Sequence, residues 1–249
     1  QTIRLLDDDL SLSQQFVVEL EESRLDRAVT SLNAWVASFS YEARRSPTYE
    51  FNLARGGWRT TGEEAEFQPY RFSAGIDGAW EPRPLWKGRV LPEATLDATY
   101  RADLLRFTES SFQLSYGLNL SVYRFVDLEL AAVTRNDFTY QYIPSLARRV
   151  GREPRNLLQD LSSSLAILDR ERREETFFKL DRIRLSAVHD LQDWELTLRY
   201  DGRPVLDSGG GERPQYRWES TLSIFLQWRP ISELQSTITY EEGVLEYDY

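Results

Sequence analysis

The chain has 249 residues, of which 41% are hydrophobic and 28% are charged, a composition that excludes an intrinsically disordered protein. It has no Cys, which excludes disulfides and thiolate chemistry, and its net charge of −10 argues against nucleic acid as a partner. A transmembrane helix is excluded because no run of about 18 apolar residues exists, whereas a transmembrane barrel is not excluded.

Alternation of apolar and polar residues recurs along most of the chain and predicts β-strands. The segment SFQLSYGLNLSV has an apolar or aromatic residue at every even position from Phe112 to Val122. The alternating runs, in chain order, are 12–20, 35–41, 70–80, 94–104, 111–122, 194–200, 222–228 and 234–240. With shorter segments between them, the pattern predicts about 11 or 12 strands.

The interval 134–176 breaks this alternation and predicts a long loop. Its leucines follow helical spacing, at Leu157, Leu158, Leu161, Leu165 and Leu168. Pro154 and Asn156 precede them as a helix start, so the loop is expected to carry one short amphipathic helix. That helix either lines or plugs a lumen or caps the loop, and we favour the cap.

Strand length and aromatic spacing favour lipid over a protein core as the partner of the apolar face. Several runs hold their alternation for ten residues or more, whereas soluble strands average about 5–6 and membrane-crossing strands need about 9–11. Tyr70 and Trp80 are ten residues apart on one predicted face, or about 33 Å along a strand. With a tilt of about 40°, that length matches the apolar band of an outer-membrane barrel. A soluble β-sandwich remains the alternative.

We therefore predict an all-β fold, an antiparallel transmembrane β-barrel with strands in meander order. Short turns at 189–193 and 229–232 alternate with long loops at 134–176 and 201–214, as a meander barrel requires. The expected location is the outer membrane of a diderm bacterium. A tight turn at 241–243 should lead into a last strand.

Aromatic residues mark the predicted membrane interfaces. The candidates for interface belts are Tyr70, Trp80, Trp86, Trp194, Tyr200 and Trp228. Lys87 and Arg89 beside Trp86 fit such a belt. Tyr247 and Tyr249 share a face of the last strand and resemble the terminal signal that the barrel-insertion machinery recognises.

No catalytic, cofactor or metal site is predicted. His189 is the sole histidine, and with Asp190 and Asp193 it is expected to satisfy backbone groups in a turn rather than to form a catalytic or metal site. The arginines of LDRERREE (168–175) could bind lipid phosphates, but their acidic neighbours favour a solvated loop. The aspartates at 7–9 suggest calcium only weakly, and a solvated tail is preferred.

Several segments together resemble one family of outer-membrane proteins. They include RPLWKGRV (83–90), FFKLDRIRLSAVHDLQDWELTLRYDGRPVL (177–206) and RWESTLSIFLQWRPISEL (217–234), and the most specific element is the turn HDLQDW at 189–194, which ends in Trp194. They resemble the C-terminal barrel region of the LPS-assembly protein LptD (organic solvent tolerance protein) family in a divergent, non-enteric form. The resemblance covers most of 54–234.

The resemblance implies a translocon component, not an enzyme, that inserts lipopolysaccharide or a related glycolipid into the outer leaflet by lateral release. It also implies a plug lipoprotein similar to LptE and periplasmic bridge proteins as partners, and no cofactor. The family's N-terminal periplasmic domain is not recognisable in residues 1–249, and the predicted strands are too few for its barrel. We therefore expect the C-terminal part of a larger barrel or a reduced relative.

Three other functions stay open at this stage. A porin-like diffusion channel would share the alternating strands and the outer-membrane location. A soluble β-sandwich binding module would share the alternation but would cover its apolar faces with protein. A barrel lipase would need a serine paired with His189, and nothing in the local sequence pattern supplies one.

Overall fold

The computed structural model describes residues 2–5, 10–62, 64–123, 125–164, 176–207, 215–231, 233–241 and 243–248. Its strands are β1 Thr2–Leu5, β2 Leu10–Glu19, β3 Arg24–Ala34, β4 Ala37–Ser46, β5 Tyr49–Asn52, β6 Gly57–Thr60, β7 Glu66–Trp80, β8 Val90–Asp103, β9 Ser111–Val122, β10 Val126–Asn136, β11 Lys179–Leu191, β12 Trp194–Asp207, β13 Gln215–Trp228, β14 Gln235–Glu241 and β15 Val244–Asp248. The α-helices are α1 Pro144–Arg149 and α2 Leu157–Ser164.

Thirteen of these strands form one sheet, in the order β1-β2-β3-β4-β7-β8-β9-β10-β11-β12-β13-β14-β15. Each strand therefore neighbours the next in the chain, except that the hairpin β5–β6 is inserted between β4 and β7 and forms its own two-stranded sheet. The predicted all-β meander is confirmed, with one or two more sheet strands than the pattern indicated. No helix among the described residues is long and apolar enough to cross a membrane.

The strands are long. Ten of the thirteen sheet strands, β2 to β4 and β7 to β13, have between 10 and 15 residues. Soluble proteins average about 5–6 residues per strand, and a strand that crosses a bilayer needs about 9–11. The length that the alternation predicted is thus present in the sheet.

Several strand boundaries differ from the sequence prediction. Trp35 was expected within a strand, but it lies with Val36 in the two-residue turn between β3 and β4, where its φ is 47° and a two-residue hairpin requires positive φ. The predicted loop at 201–214 begins later than expected, because β12 continues to Asp207 and Gly202 is a strand residue rather than a turn residue. The rest of that predicted loop, 208–214, lies outside the described residues.

The contacts divide the chain into two compact units. Unit 1 comprises Gln1–Asp77, Asp97–Leu114 and Arg135–Lys179, and unit 2 comprises Gly78–Leu96, Ser115–Thr134 and Leu180–Tyr249. Unit 1 holds the longer connections of the meander, including the β5–β6 hairpin and the interval between β10 and β11. Unit 2 holds the short turns that follow β9, β11 and β13.

In unit 1, an aromatic cluster joins the hairpin to two other connections. The Trp58 ring packs edge-on against Phe51 and Phe107, each at 5.2 Å between ring centroids, and Phe107 packs against Tyr140 at 6.1 Å. The indole N–H of Trp58 donates a hydrogen bond of 2.7 Å to the hydroxyl of Thr108. The connections of unit 1 are therefore packed against one another through their own side chains.

The long connection between β10 and β11 contains both α-helices. Asn156 begins α2 as predicted, since its side-chain oxygen accepts hydrogen bonds from the backbone N–H groups of Leu158 and Gln159, at 3.0 and 3.3 Å. The helix does not bury its leucines, however: Leu157 and Leu158 are exposed, whereas Asp160 and Ser164 are buried. The end of the predicted leucine series, Leu165 and Leu168, lies outside the described residues.

Asp160 is buried because it organises a polar network. Its carboxylate accepts hydrogen bonds from the hydroxyl of Tyr142 and from the backbone N–H of Phe177, and Asn136 donates to the same hydroxyl at 2.6 Å. Burial and the hydrogen bond to Asp160 raise the pKa of Tyr142. The network ties α2 to the end of β10 and to the start of β11, so the loop is docked by polar contacts and not by an apolar helix face.

Replacing Asp160 with Ala should release this docked loop. The change leaves the half-buried Tyr142 hydroxyl and the Phe177 N–H without their acceptor, and an unsatisfied group costs up to about 1–3 kcal/mol when it is fully buried. Hydrogen exchange of the amides in 139–149 should therefore accelerate by roughly tenfold or more. Ser162→Ala on the same helix is the control, since the Ser162 hydroxyl is exposed and bonds only to Gln159 O. Equal exchange in both variants would contradict the docking role of Asp160.

Candidate functional site

One face of the unit 2 sheet is mainly apolar from β11 to β14. We call this surface the apolar face and define it by the side chains that the registers place together: Leu185, Ala187 and Leu191 on β11; Trp194, Leu196, Leu198 and Tyr200 on β12; Trp218, Leu222, Ile224, Leu226 and Trp228 on β13; Ile238 and Tyr240 on β14. Cross-strand partners match in type, as in Leu198 opposite Ile224 and Tyr200 opposite Leu222. The period of two along each strand puts all of them on one side.

Among the described residues, no second layer of protein covers the apolar face. Leu185, Leu198 and Leu222 are 44%, 38% and 40% exposed. Among the described residues of unit 2, the buried hydrophobic side chains are Ala132 and Ile183 alone. A soluble sheet of this composition would place these leucines in a core, so the face requires an apolar partner other than this chain.

Tryptophans lie at both ends of the apolar face. Trp218 and Trp228 lie on the same side of β13, ten residues apart, with Leu222, Ile224 and Leu226 between them. Ten residues span about 33 Å along a strand, and a tilt of about 40° projects this to about 25 Å. That height equals the apolar band that separates the aromatic girdles of outer-membrane barrels.

Trp218 is held flat across the neighbouring strand. Its indole N–H donates to the hydroxyl of Tyr200 at 3.0 Å. A Cβ on Gly202 would lie 2.6 Å from the Trp218 ring, so only glycine leaves room for the ring at this position. Gly202 therefore serves the aromatic end of the apolar face.

The other end of the apolar face lies at the short turns. The rings of Trp194 and Trp228, which are opposite each other in register, stack at 6.1 Å between centroids. His189 belongs to the predicted turn motif, and its ring Nδ1–H donates to the backbone oxygen of Phe125 while the two rings pack at 4.3 Å. His189 itself lies on β11, which continues to Leu191, so the predicted turn at 189–193 is wrong in its bounds and comprises Gln192 and Asp193. The ring of His189 joins β11 to the turn after β9.

Arg229 joins the next pair of turns. Its guanidinium forms ion pairs with Asp190 at 2.7 Å and Glu195 at 3.0 Å, and its backbone N–H donates to the oxygen of Asp193 at 2.7 Å. The hydrogen bonds to Asp190 and then to Glu195 raise the pKa of Arg229. Asp190, at the end of β11, also accepts from the N–H of Gln192, so this aspartate contacts both its own turn and the neighbouring one.

The opposite face of the same strands is ionic. Asp201 lies opposite Thr221 and forms ion pairs with Arg182 at 2.5 Å and Arg184 at 3.3 Å. Glu219 pairs in the same way with Arg203 and Arg217, at 3.4 and 3.1 Å. Unit 2 therefore has one face suited to lipid and one suited to water.

Three of the predicted belt residues, Trp194, Tyr200 and Trp228, lie on the apolar face. The sequence analysis did not identify Trp218, which lies on the same face. The signal that could have found Trp218 is its ten-residue spacing from Trp228, the same spacing as between Tyr70 and Trp80. Trp80 ends β7 at 47% exposure, and Trp86 lies in a 3-10 turn with φ 55°.

The prediction that Tyr70 belongs to an interface belt is wrong. It is only 7% exposed and lies under the guanidinium of Arg44, 3.4 Å from the ring centroid. A bulge causes this, because Glu42 pairs with Arg71 and Ala43 with Pro69, which leaves Tyr70 as the extra residue. Alternation counted along the sequence placed it on the wrong face.

Three other predicted elements are described only in part or not at all. Tyr247 is 59% exposed on β15, after the expected turn at Gly243, whose φ is 88°. Tyr249, the aspartates at 7–9 and the arginine cluster at 168–175 lie outside the described residues.

No protein-family model and no curated protein matches this chain. Among solved structures, the crystal structure of Pseudomonas aeruginosa OccK5 (OpdH) aligns with 96% of the chain at 10% identity and a TM-score of 0.33. The chain spans 64% of the length of that protein. A likeness this distant identifies neither family nor function.

Replacing Arg229 with Gln should loosen the short-turn end. Asp190 and Glu195 face each other in register, so without the arginine two like charges are left opposite, which destabilises a strand pair. Amide exchange in 189–195 should accelerate, and adding Glu195→Gln should restore part of the protection. Arg135→Gln, which breaks an exposed pair with Asp137, is the control. A failure of the second substitution to restore protection would contradict the proposed repulsion.

Proposed function

We propose that this chain is an outer-membrane β-barrel protein, or a large part of one, that forms a porin-like channel for small polar solutes. The observation that carries the proposal is the uncovered apolar face of unit 2, bounded at both ends of β13 by Trp218 and Trp228. Lipid is the partner whose dimensions match this face, since the projected height of about 25 Å equals that of the apolar band.

The ionic face supports a water-filled pathway. Its arginines and carboxylates are partly exposed and paired with one another, which suits a hydrated surface and not a dry core. A closed sheet with this face inward would offer small solutes a polar path across the membrane. No catalytic step belongs to the proposal.

Glycolipid export is the second candidate. It is supported by the family resemblance and by a depression of about 310 Å³ in unit 2, lined by leucines of β9, β10 and β11 that include Leu120, Leu130 and Leu185. An acyl chain of lipopolysaccharide or a related glycolipid would fit such a surface. A plug lipoprotein and periplasmic bridge proteins would be partners in this case only.

Conductance tests the channel directly. The purified protein, reconstituted into planar bilayers in neutral salt, should give discrete current steps. Ser223→Trp should lower the step size because Ser223 lies on the ionic face opposite Arg199. Leu222→Trp, one residue away on the apolar face, is the matched control and should leave the step size unchanged.

The absence of current from inserted, folded protein would contradict the channel. Depletion in the host separates the two candidates further. Reduced uptake of small solutes with normal surface glycolipid supports the channel. Loss of surface glycolipid with unchanged uptake would support export and overturn the channel proposal.

A further inference from the structure

Unit 1 contains a polar depression that has more positively charged side chains than negatively charged ones. It has a volume of about 380 Å³ and lies where β7 and β8 meet the connection after β8. Its lining residues are Arg71, Arg101, Asp103, Arg106, Glu109 and Ser111. Three guanidinium groups thus face two carboxylates.

Arg106 neutralises both carboxylates of the depression. Its guanidinium forms ion pairs with Asp103 at 3.2 Å and with Glu109 at 2.9 Å. Asp103, which is buried, also accepts the backbone N–H groups of Leu105 and Arg106, at 3.0 and 2.6 Å. Burial lowers the pKa of Arg106, but the charges of Asp103 and Glu109 outweigh it and raise the pKa overall. These contacts build the turn and leave little capacity for a ligand.

Arg71 and Arg101 are the two arginines of the depression that do not pair with its carboxylates. Both are exposed, and among the described residues no carboxylate forms an ion pair with either. Arg71 reaches only the hydroxyl of Tyr70, at 3.4 Å. The acidic residue opposite Arg71 in register, Glu42, is already paired with Arg27 at 2.8 Å.

Arg44, which does not line the depression, adds a further guanidinium beside Arg71. Arg44 stacks on the face of Tyr70, and its Nε is buried without a hydrogen-bond partner. Arg71 lies 5.1 Å from the centroid of the same ring. Tyr70 therefore holds two arginines close together, at the position where the bulge between β4 and β7 turned its ring from the expected face.

We propose that Arg71 and Arg101 form a binding station for a small oxyanion, a carboxylate or phosphate group of a solute. The guanidinium presents a planar fork of donors that matches two oxygens of either group, and Ser111 adds a hydroxyl donor. The inference rests on the proposed channel, because it assigns the pathway a preference for anions. The alternative is that both arginines are merely solvated.

Binding in detergent solution tests the station independently of conductance. Calorimetric titration with succinate and with inorganic phosphate, at constant ionic strength in chloride, should show binding to the native protein by at least one of the two. Arg71→Gln combined with Arg101→Gln should weaken it by roughly tenfold or more, since both charged donor groups of the station are removed. Arg135→Gln removes one positive charge from an exposed pair in unit 1 and should leave binding unchanged.

The two probes identify the anion. Binding of succinate alone assigns a carboxylate, and binding of phosphate alone assigns a phosphate group. No binding of either probe, or equal binding to the double variant, would overturn the station. Potassium chloride currents test the channel separately, so a conducting protein that binds neither anion would lose the station and keep the proposed function.

Discussion

The structure depends on one constraint, which is that an apolar sheet face not covered by protein needs another apolar environment. In unit 2 the leucines of β11, β12 and β13 are aligned by register and left exposed. Contact between these leucines and water would be unfavourable, because removing a leucine side chain from water gains about 1.5–3 kcal/mol. Lipid satisfies the constraint without a second protein layer.

The other face follows from the same period of two. Every residue between two lipid-facing positions points to the opposite side, so charged groups there can be hydrated and paired. Asp201 and Glu219 each lie between two arginines on that side. The connections add a second kind of order, since the β10–β11 loop is docked by the buried carboxylate of Asp160. The strand period thus separates an apolar face from an ionic face, and polar contacts dock the longest connection.

Much of the fold was predictable because strand period is a local signal. The alternation located β9, β12 and β13, and Asn156 located the start of α2. What failed depends on partners distant in the sequence. Tyr70 changed face through a bulge that forms only when β4 pairs with β7. The sequence predicted a loop at Gly202, but this glycine lies within β12 and makes room for the ring of Trp218. The depression lined by Arg71 and Arg101 brings together side chains of three strands and one connection, and no sequence motif predicts it.

The most direct test of the membrane contact uses the absence of cysteine in the chain. Single cysteines at each position from 218 to 228, spin-labelled in reconstituted bilayers, can be probed with oxygen and with a water-soluble nickel complex. Even positions should favour oxygen and odd positions should favour nickel, with the oxygen maximum near Leu222 and Ile224. Equal access of the nickel complex to both sets would show a water-exposed sheet and contradict the account.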